Sequence, residues 1–352
     1  MAVKRSAAAF SVDDSARSSA PTSPTAHKRR RVYCPDDYEE TGVLGEGGFG
    51  VVVSARHRAT GELVAVKALH SSSSSSRSSS SNRSSSSDAA VSGLMREASF
   101  LAACRGHPSL IGLHSVSRDP STGELSIIMD YAAGPSLHDV LHVHRGSRPF
   151  PEAEVRGIMK ELLGGAEHLH AQGIVHRDIK PENILVIDNN GGIKICDLGL
   201  AMSTASDAPP YTRCGTVPYM APEVLLGMPD YGAMVDTWSL GCVMAELLAG
   251  ERLFDGDEPG AQMLEIFDVL GAPGCSTWPA YKSLPLAGKL AKPPRCIRSC
   301  RRLRKLFPEE VLSREGYQVL RGLLSCNIDK RLSATAALRL PWFTNSGDAS
   351  AV

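Results

Sequence analysis

The hydrophobic period of this chain changes once, near Ser136, and that change limits the folds open to it. Before it lie short apolar runs of strand type: Val43 and Leu44, Val51 to Val53, Leu63-Val64-Ala65-Val66, and residues 126–129. Leu94, Ala98 and Leu101 mark a single helix among them. After Ser136, residues Val155, Ile158, Met159, Leu162, Leu163, Ala166 and Leu169 recur at the 3.6-residue period of a helix with one broad apolar face. Gly164-Gly165 weaken that helix, each costing roughly 1 kcal/mol against alanine. Residues 235–248 are apolar on nearly every side, as in a helix buried all round. Nothing repeats. The expectation is an α+β chain with a small β-rich lobe and one key helix over residues 38–131, then a larger, mainly helical lobe over 132–343. The hinge falls at Gly134-Pro135.

Three stretches stand outside this pattern. Residues 1–37 are rich in Ser, Ala and Pro and carry Lys28-Arg29-Arg30-Arg31; such a segment buries too little apolar surface to offset its chain entropy, so it reads as a disordered basic tail. A serine tract from Ser71 to Ser87, broken only by Arg77, Asn82 and Arg83, reads as a flexible insertion over about 70–90. Residues 344–352 read as a second tail. The 352 residues are 42% hydrophobic with a formal net charge of zero, which excludes a whole-molecule field drawing the chain to nucleic acid or membrane. Nine cysteines with no C-x-x-C pair argue against a disulfide framework or a zinc site. With no apolar run of signal-peptide or membrane-span type, an intracellular protein is expected. The basic cluster in the tail is either a solvated arm or a nuclear import signal; nucleus is the expectation and cytoplasm the alternative. Six basic residues between Arg295 and Lys305 read by default as a solvated face.

Four motifs carry chemistry. Gly45-Glu46-Gly47-Gly48-Phe49-Gly50-Val51-Val52 fits G-x-G-x-x-G-x-V. Dinucleotide-binding turns share this glycine spacing but open a helix, whereas β-branched residues follow Gly50 directly. The segment reads as a hairpin whose glycines let backbone amides approach phosphate, with a purely structural turn as the alternative. In Val64-Ala65-Val66-Lys67, the lysine is either a solvated strand end or, after such a hairpin, a holder of phosphate oxygens. The second role needs an acidic partner, for which Glu97 is the candidate. The third motif, His176-Arg177-Asp178-Ile179-Lys180-Pro181-Glu182-Asn183, is the most informative. Phosphoryl transfer asks a protein mainly for positioning and charge stabilisation. Asp178 can orient an attacking hydroxyl, Lys180 can neutralise charge on the transferred group, and Asn183 offers a hard oxygen suited to Mg²⁺. Asp197-Leu198-Gly199 follows the strand run 193–196 and adds a carboxylate as a second Mg²⁺ ligand. Each piece alone is an ordinary loop; their order and spacing make the set specific.

Over about residues 38–343 the sequence resembles the eukaryotic protein kinase superfamily. The resemblance implies the bilobal protein kinase fold, ATP and Mg²⁺ as cofactors, and transfer of the γ-phosphoryl group to Ser or Thr of protein substrates. It implies that the backbones of Asp130 and Ala132 hold adenine, that Val52, Ala65 and Leu185 sandwich the ring, and that Met129 is the gatekeeper. Leu101, Leu113, His176 and Leu198 would form the regulatory spine. Glu223 of Ala221-Pro222-Glu223 would pair with Arg331, and Asp236 and Trp238 would support the catalytic loop. Lys180 and Thr216 resemble the serine/threonine class. Asp236-Thr237-Trp238-Ser239-Leu240-Gly241-Cys242 and Leu253-Phe254-Asp255-Gly256-Asp257 resemble the cyclin-dependent kinases, most of all their plant F-type relatives. Thr212 aligns with the activating phosphosite, with Arg177 and Arg96 available to its phosphate.

The departures are specific. Val91-Ser92-Gly93-Leu94-Met95-Arg96-Glu97 keeps only the Arg-Glu end of the cyclin-contacting helix, which argues against cyclin dependence and leaves a cyclin or an activating kinase as an open partner. Met220 replaces an arginine of the proline-directed relatives, and Met202 replaces the third phosphate-binding arginine. Gly48 and Phe49 carry no hydroxyl, which excludes inhibitory phosphorylation there. Cys196 and Cys214 could react with electrophiles or oxidants, but small buried thiols are the default. Two rivals stand beside the active kinase. A silent pseudokinase would follow if the serine tract left the Glu97 helix loosely placed. A nucleic-acid-binding protein would rest on basic clusters alone, without a groove-reading motif.

Overall fold

The computed structural model describes residues 35, 37–47, 50–68, 83–187, 192–209, 211–272, 277–289 and 302–344, excepting the side chains of 46, 47 and 83–89. Residues 1–34 of the basic tail, Gly48, Phe49, most of the serine tract, the basic residues from Arg295 to Arg301 and residues 345–352 of the C-terminal tail lie outside the described residues; Thr344, expected in that tail, closes a short helix. The described residues belong to one compact unit.

Five antiparallel strands make the first lobe: β1 (Tyr38–Gly47), β2 (Gly50–His57), β3 (Leu63–Ala68), β4 (Leu113–Arg118) and β5 (Leu125–Asp130), in the order β1-β2-β3-β5-β4. The valine-rich runs of β2 and β3 favour extended backbone because their branched side chains pack on a pleated surface. Register sets Val52 opposite both Gly45 and Lys67, so the glycine hairpin and the lysine share one end of the sheet.

Helix α1 (Arg83–Ala103) packs on β4 and β5 through buried Leu94, Ala98 and Leu101. It begins inside the stretch of about 70–90 expected to be a flexible insertion, so over 83–90 that expectation is corrected: the serines there are helical. Once the packed half of α1 has nucleated, each residue added upstream gains a backbone hydrogen bond, and serine's modest propensity cost does not stop propagation.

The second lobe holds α2 (Glu152–Ala171), α3 (Pro222–Leu225), α4 (Met234–Ala249), α5 (Pro259–Leu270), α6 (Leu303–Leu306), α7 (Arg314–Leu323), α8 (Ala334–Leu338) and α9 (Pro341–Thr344). Two short ribbons lie among them: β6 (Ile174–Val175) with β9 (Met202–Ser203), and β7 (Ile184–Val186) with β8 (Ile193–Ile195). Every residue of α4 from Val235 to Leu248 is buried, as a pattern apolar on nearly every side requires, with Asp236 and Glu246 buried among them. It packs against α2 and α7. Gly165 on α2 has a packing reason. A Cβ there would sit 3.2 Å from Leu110 and the Ser109 carbonyl and 3.3 Å from Ile195, tighter than ordinary contact, so glycine eases the close approach of α2 to β8. That contact carries β8, and with it Asp197, to the mouth between the lobes.

Candidate active site

The catalytic-loop candidate is held from below by one carboxylate. Asp236, fully buried near the start of α4, accepts the amide hydrogens of His176 at 2.9 Å and Arg177 at 2.8 Å, and the His170 ring nitrogen at 2.9 Å. Burial pushes this carboxyl up, but the His170 hydrogen bond, attraction to His170 and His176, and the Arg177 amide outweigh it and hold it below the usual carboxylate value. Two residues of the site are left-handed without being glycine: Arg177 at φ 70° and Asp197 at φ 63°. Such backbone costs of order 1–3 kcal/mol and persists only where its surroundings hold it. The Asp236 bonds do so at Arg177. At Asp197, its own carboxylate accepts the Gly199 amide, and the Cys196 carbonyl is bound by His176 at 3.0 Å.

Around Asp178 the polar groups close on one another. Thr216 donates to Asp178 Oδ1 at 2.7 Å, Lys180 Nζ donates to Thr216 Oγ1 at 2.8 Å, and Lys180 Nζ lies 2.9 Å from Asp178 Oδ2. Asn183 Nδ2 donates to the Asp178 carbonyl at 2.9 Å and to its Oδ2 at 3.1 Å, which turns the carboxamide oxygen away from Asp178. Gly215, at φ 103°, brings Thr216 into this group. A Cβ there would stand 2.4 Å from the Arg177 carbonyl, closer than any side chain allows.

Across the mouth, Lys67 Nζ lies 2.7 Å from Glu97 Oε1 and 3.4 Å from Asp197 Oδ1. Burial alone would push the ammonium down; the two carboxylates outweigh it and raise it above the ordinary lysine value, so Lys67 stays charged. These groups open into a cavity of about 330 Å³. Its apolar walls include Val52, Ala65 and Leu185; Gly45 and Gly50 lie at the rim, Asp130 and Ala132 at the hinge, and Asn183 and Asp197 at the polar end. The Asp130 carboxylate is occupied elsewhere, by the Gly112 amide and His114, both at 2.9 Å. Leu44 and Ile111 also line the cavity. Sequence reasoning missed both. Leu44 preceded the first glycine and could have been found, whereas Ile111 stands in a loop whose path only the fold fixes. Glu46 and Gly47 lie in β1 beside the cavity's glycine rim, with their side chains outside the description. Cys196 lines the cavity too, and burial pushes its thiol up to about 12.

A family model for the protein kinase domain matches residues 38–343. The chain belongs to the protein kinase family. A rice protein (Oryza sativa subsp. japonica) with the provisional name cyclin-dependent kinase F-2 is 44% identical to this kinase over 318 residues, covering 88% of this chain and 90% of its own. The cyclin-dependent kinase G-2 of Oryza sativa subsp. indica is 36% identical, over 88% of this chain but 41% of its own length. The cell division control protein 2 homolog 3 of Trypanosoma brucei brucei is 36% identical over 88% of this chain and 93% of its own. This places the kinase among the serine/threonine kinases of cyclin-dependent type.

The segment after Asp197 is fixed at both ends. At its far end Arg331 makes two hydrogen bonds to Glu223, at 2.6 and 2.7 Å. At its near end Arg96 pairs with Asp207 and donates to the Ala201 carbonyl at 3.3 Å. Arg177 donates to the Leu200 carbonyl at 2.6 Å and to the Tyr231 hydroxyl at 3.2 Å, and Tyr231 in turn donates to the Thr212 carbonyl at 2.6 Å. Thr212 is exposed, and Met202 is buried in the β6–β9 ribbon. Among the described groups, the arginines expected to receive a phosphate are therefore bound to Asp207, to carbonyls and to a hydroxyl.

Proposed function

We propose that this kinase transfers the γ-phosphoryl group of Mg-ATP to serine and threonine hydroxyls of protein substrates. The observation that carries this reading is the closed Lys67–Glu97 pair beside Asp197, on a cavity that Asn183 also lines. The residues fit the nucleotide. The apolar walls and the Asp130–Ala132 backbone suit a planar base, and Lys67 is aimed and charged for phosphate oxygens. The Asn183 oxygen and the Asp197 carboxylate are the two candidate ligands for Mg²⁺, which typically takes one or two protein oxygens and keeps waters or phosphate for the rest. A bound Mg²⁺ supplies neutralisation of charge on the phosphates. In this reading Asp178 accepts the hydrogen bond of the substrate hydroxyl and aims its oxygen, while Lys180, held by Thr216, stands ready for charge on the transferred group.

The same closed pair weighs against a silent interaction module and against an obligatory cyclin, since α1 carries Glu97 to Lys67 within the single chain. The protein partners in this reading are its substrates; nuclear import rests on Lys28 to Arg31. The test is incorporation of labelled phosphate from ATP into a degenerate peptide array, with and without added cyclin, beside Asp178→Asn and Lys67→Met. Incorporation well above both variants is expected; none above them would overturn the reading.

A further inference from the structure

Arg96 and Glu97 are adjacent on α1, so they point about 100° apart: Glu97 enters the cleft toward Lys67, and Arg96 faces the segment that follows Asp197. The guanidinium of Arg96 takes two partners there, the Ala201 carbonyl at 3.3 Å and the carboxylate of Asp207. Asp207 is also built into the segment. Its carboxylate accepts the Ser203 amide at 2.8 Å, its own amide donates to the Ser203 carbonyl at 3.0 Å, and its carbonyl accepts the Tyr211 hydroxyl at 3.4 Å. Ser203 belongs to β9, which pairs with β6, the ribbon that leads into His176. One carboxylate therefore joins the helix carrying Glu97 to the strand beside the catalytic loop. An isolated exposed ion pair contributes little. This one is anchored on both sides by backbone hydrogen bonds, which fixes its geometry.

Ordering such a segment with a phosphate works by giving a negative charge to arginines. Here Arg96 already has one, Arg177 is bound to Leu200 and Tyr231, and Met202 offers no cation. We propose that Asp207 is a positioning residue that stands in for the activation-segment phosphate, holding α1 and the Lys67–Glu97 pair in place without modification of Thr212. This rests on the phosphoryl-transfer reading above and specifies how that site is kept assembled.

The test uses the full chain, treated with phosphatase and verified by mass to carry no phosphate. Expected results are turnover by this unphosphorylated enzyme, Thr212→Ala within about twofold of it, and a loss of about tenfold in kcat for Asp207→Asn. Asp207→Glu should recover most of that loss. Arg96→Ala combined with Asp207→Asn should lose no more than the worse single variant, as for one shared interaction. Unchanged thermal midpoints separate positioning from unfolding. Hydrogen exchange in the nucleotide-free protein reads the same contact without catalysis: Asp207→Asn should speed exchange across 198–207 and in α1 about tenfold, and Thr212→Ala should not. If wild type phosphorylates nothing, the functional reading falls and the exchange arm alone decides the proposal. Wild-type kcat and exchange in Asp207→Asn would overturn it, as would activity that appears only after phosphate enters Thr212.

Discussion

Glu223 and Arg331 lie 108 residues apart and meet through two hydrogen bonds of 2.6 and 2.7 Å, with neither side chain more than 1% exposed. Arg331 also donates to the Met234 carbonyl at 2.8 Å, and its guanidinium lies 5.2 Å from the Trp238 ring centre. Removing one member leaves the other charged, buried and unpaired, which costs about 3–5 kcal/mol. Arg331→Ala should lower folding stability by that amount in urea titration, and Arg331→Lys, which cannot form the fork, should recover only part of it.

Asp236 gives the kinase an acid-sensitive support. Its carboxyl sits below the ordinary value in the fold, so the ionised form stabilises the native state. That contribution is complete above the unfolded value near 3.8 and is lost as pH falls through the lower folded value. Asp236→Asn should be clearly less stable than wild type at pH 7, and the gap between their thermal midpoints should narrow below about pH 4. A constant gap from pH 7 to pH 3 would contradict this.

Thr216 is the hinge of the group around Asp178, donating to Asp178 at 2.7 Å and accepting from Lys180 at 2.8 Å. Thr216→Val keeps the shape and removes both bonds. Hydrogen bonds to charged groups contribute about 1.5–3 kcal/mol, so kcat should fall roughly tenfold to a hundredfold with the KM for ATP little changed. Thr216→Ser should restore most of the rate.

Cys196 should resist alkylation despite lining the nucleotide cavity. With its thiol pushed up to about 12 by burial, almost none is thiolate at pH 8. Iodoacetamide at that pH, followed by peptide mass analysis, should leave Cys196 unlabelled in the native protein and label it once urea is added.

Much of this was legible in the sequence for physical reasons. The change of hydrophobic period separated a sheet from helices because side chains alternate on strands and recur every 3.6 residues on helices. The order of Lys67, Glu97, Asp178, Asn183 and Asp197 named the groups around the cleft, and the structure brings Lys67, Glu97, Asn183 and Asp197 onto one cavity. Ile111 was not legible, because it reaches the cavity through a loop with no periodicity of its own. The upstream turns of α1 were not legible either: serine composition spoke for a flexible stretch, while packing of Leu94, Ala98 and Leu101 sustains a helix back to Arg83.

By itself, the sequence determined the two lobes, the family and which side chains are candidates for the cleft, because those follow from local period and from residue types at fixed spacing. Only the tertiary structure decided what Arg96 and Arg177 hold. Asp207 is 111 residues from Arg96, and nothing local links them. The pairing exists because α1, the β6–β9 ribbon and the strained backbone at Asp197 converge on one place, where a carboxylate meets a guanidinium that the sequence alone would have reserved for phosphate.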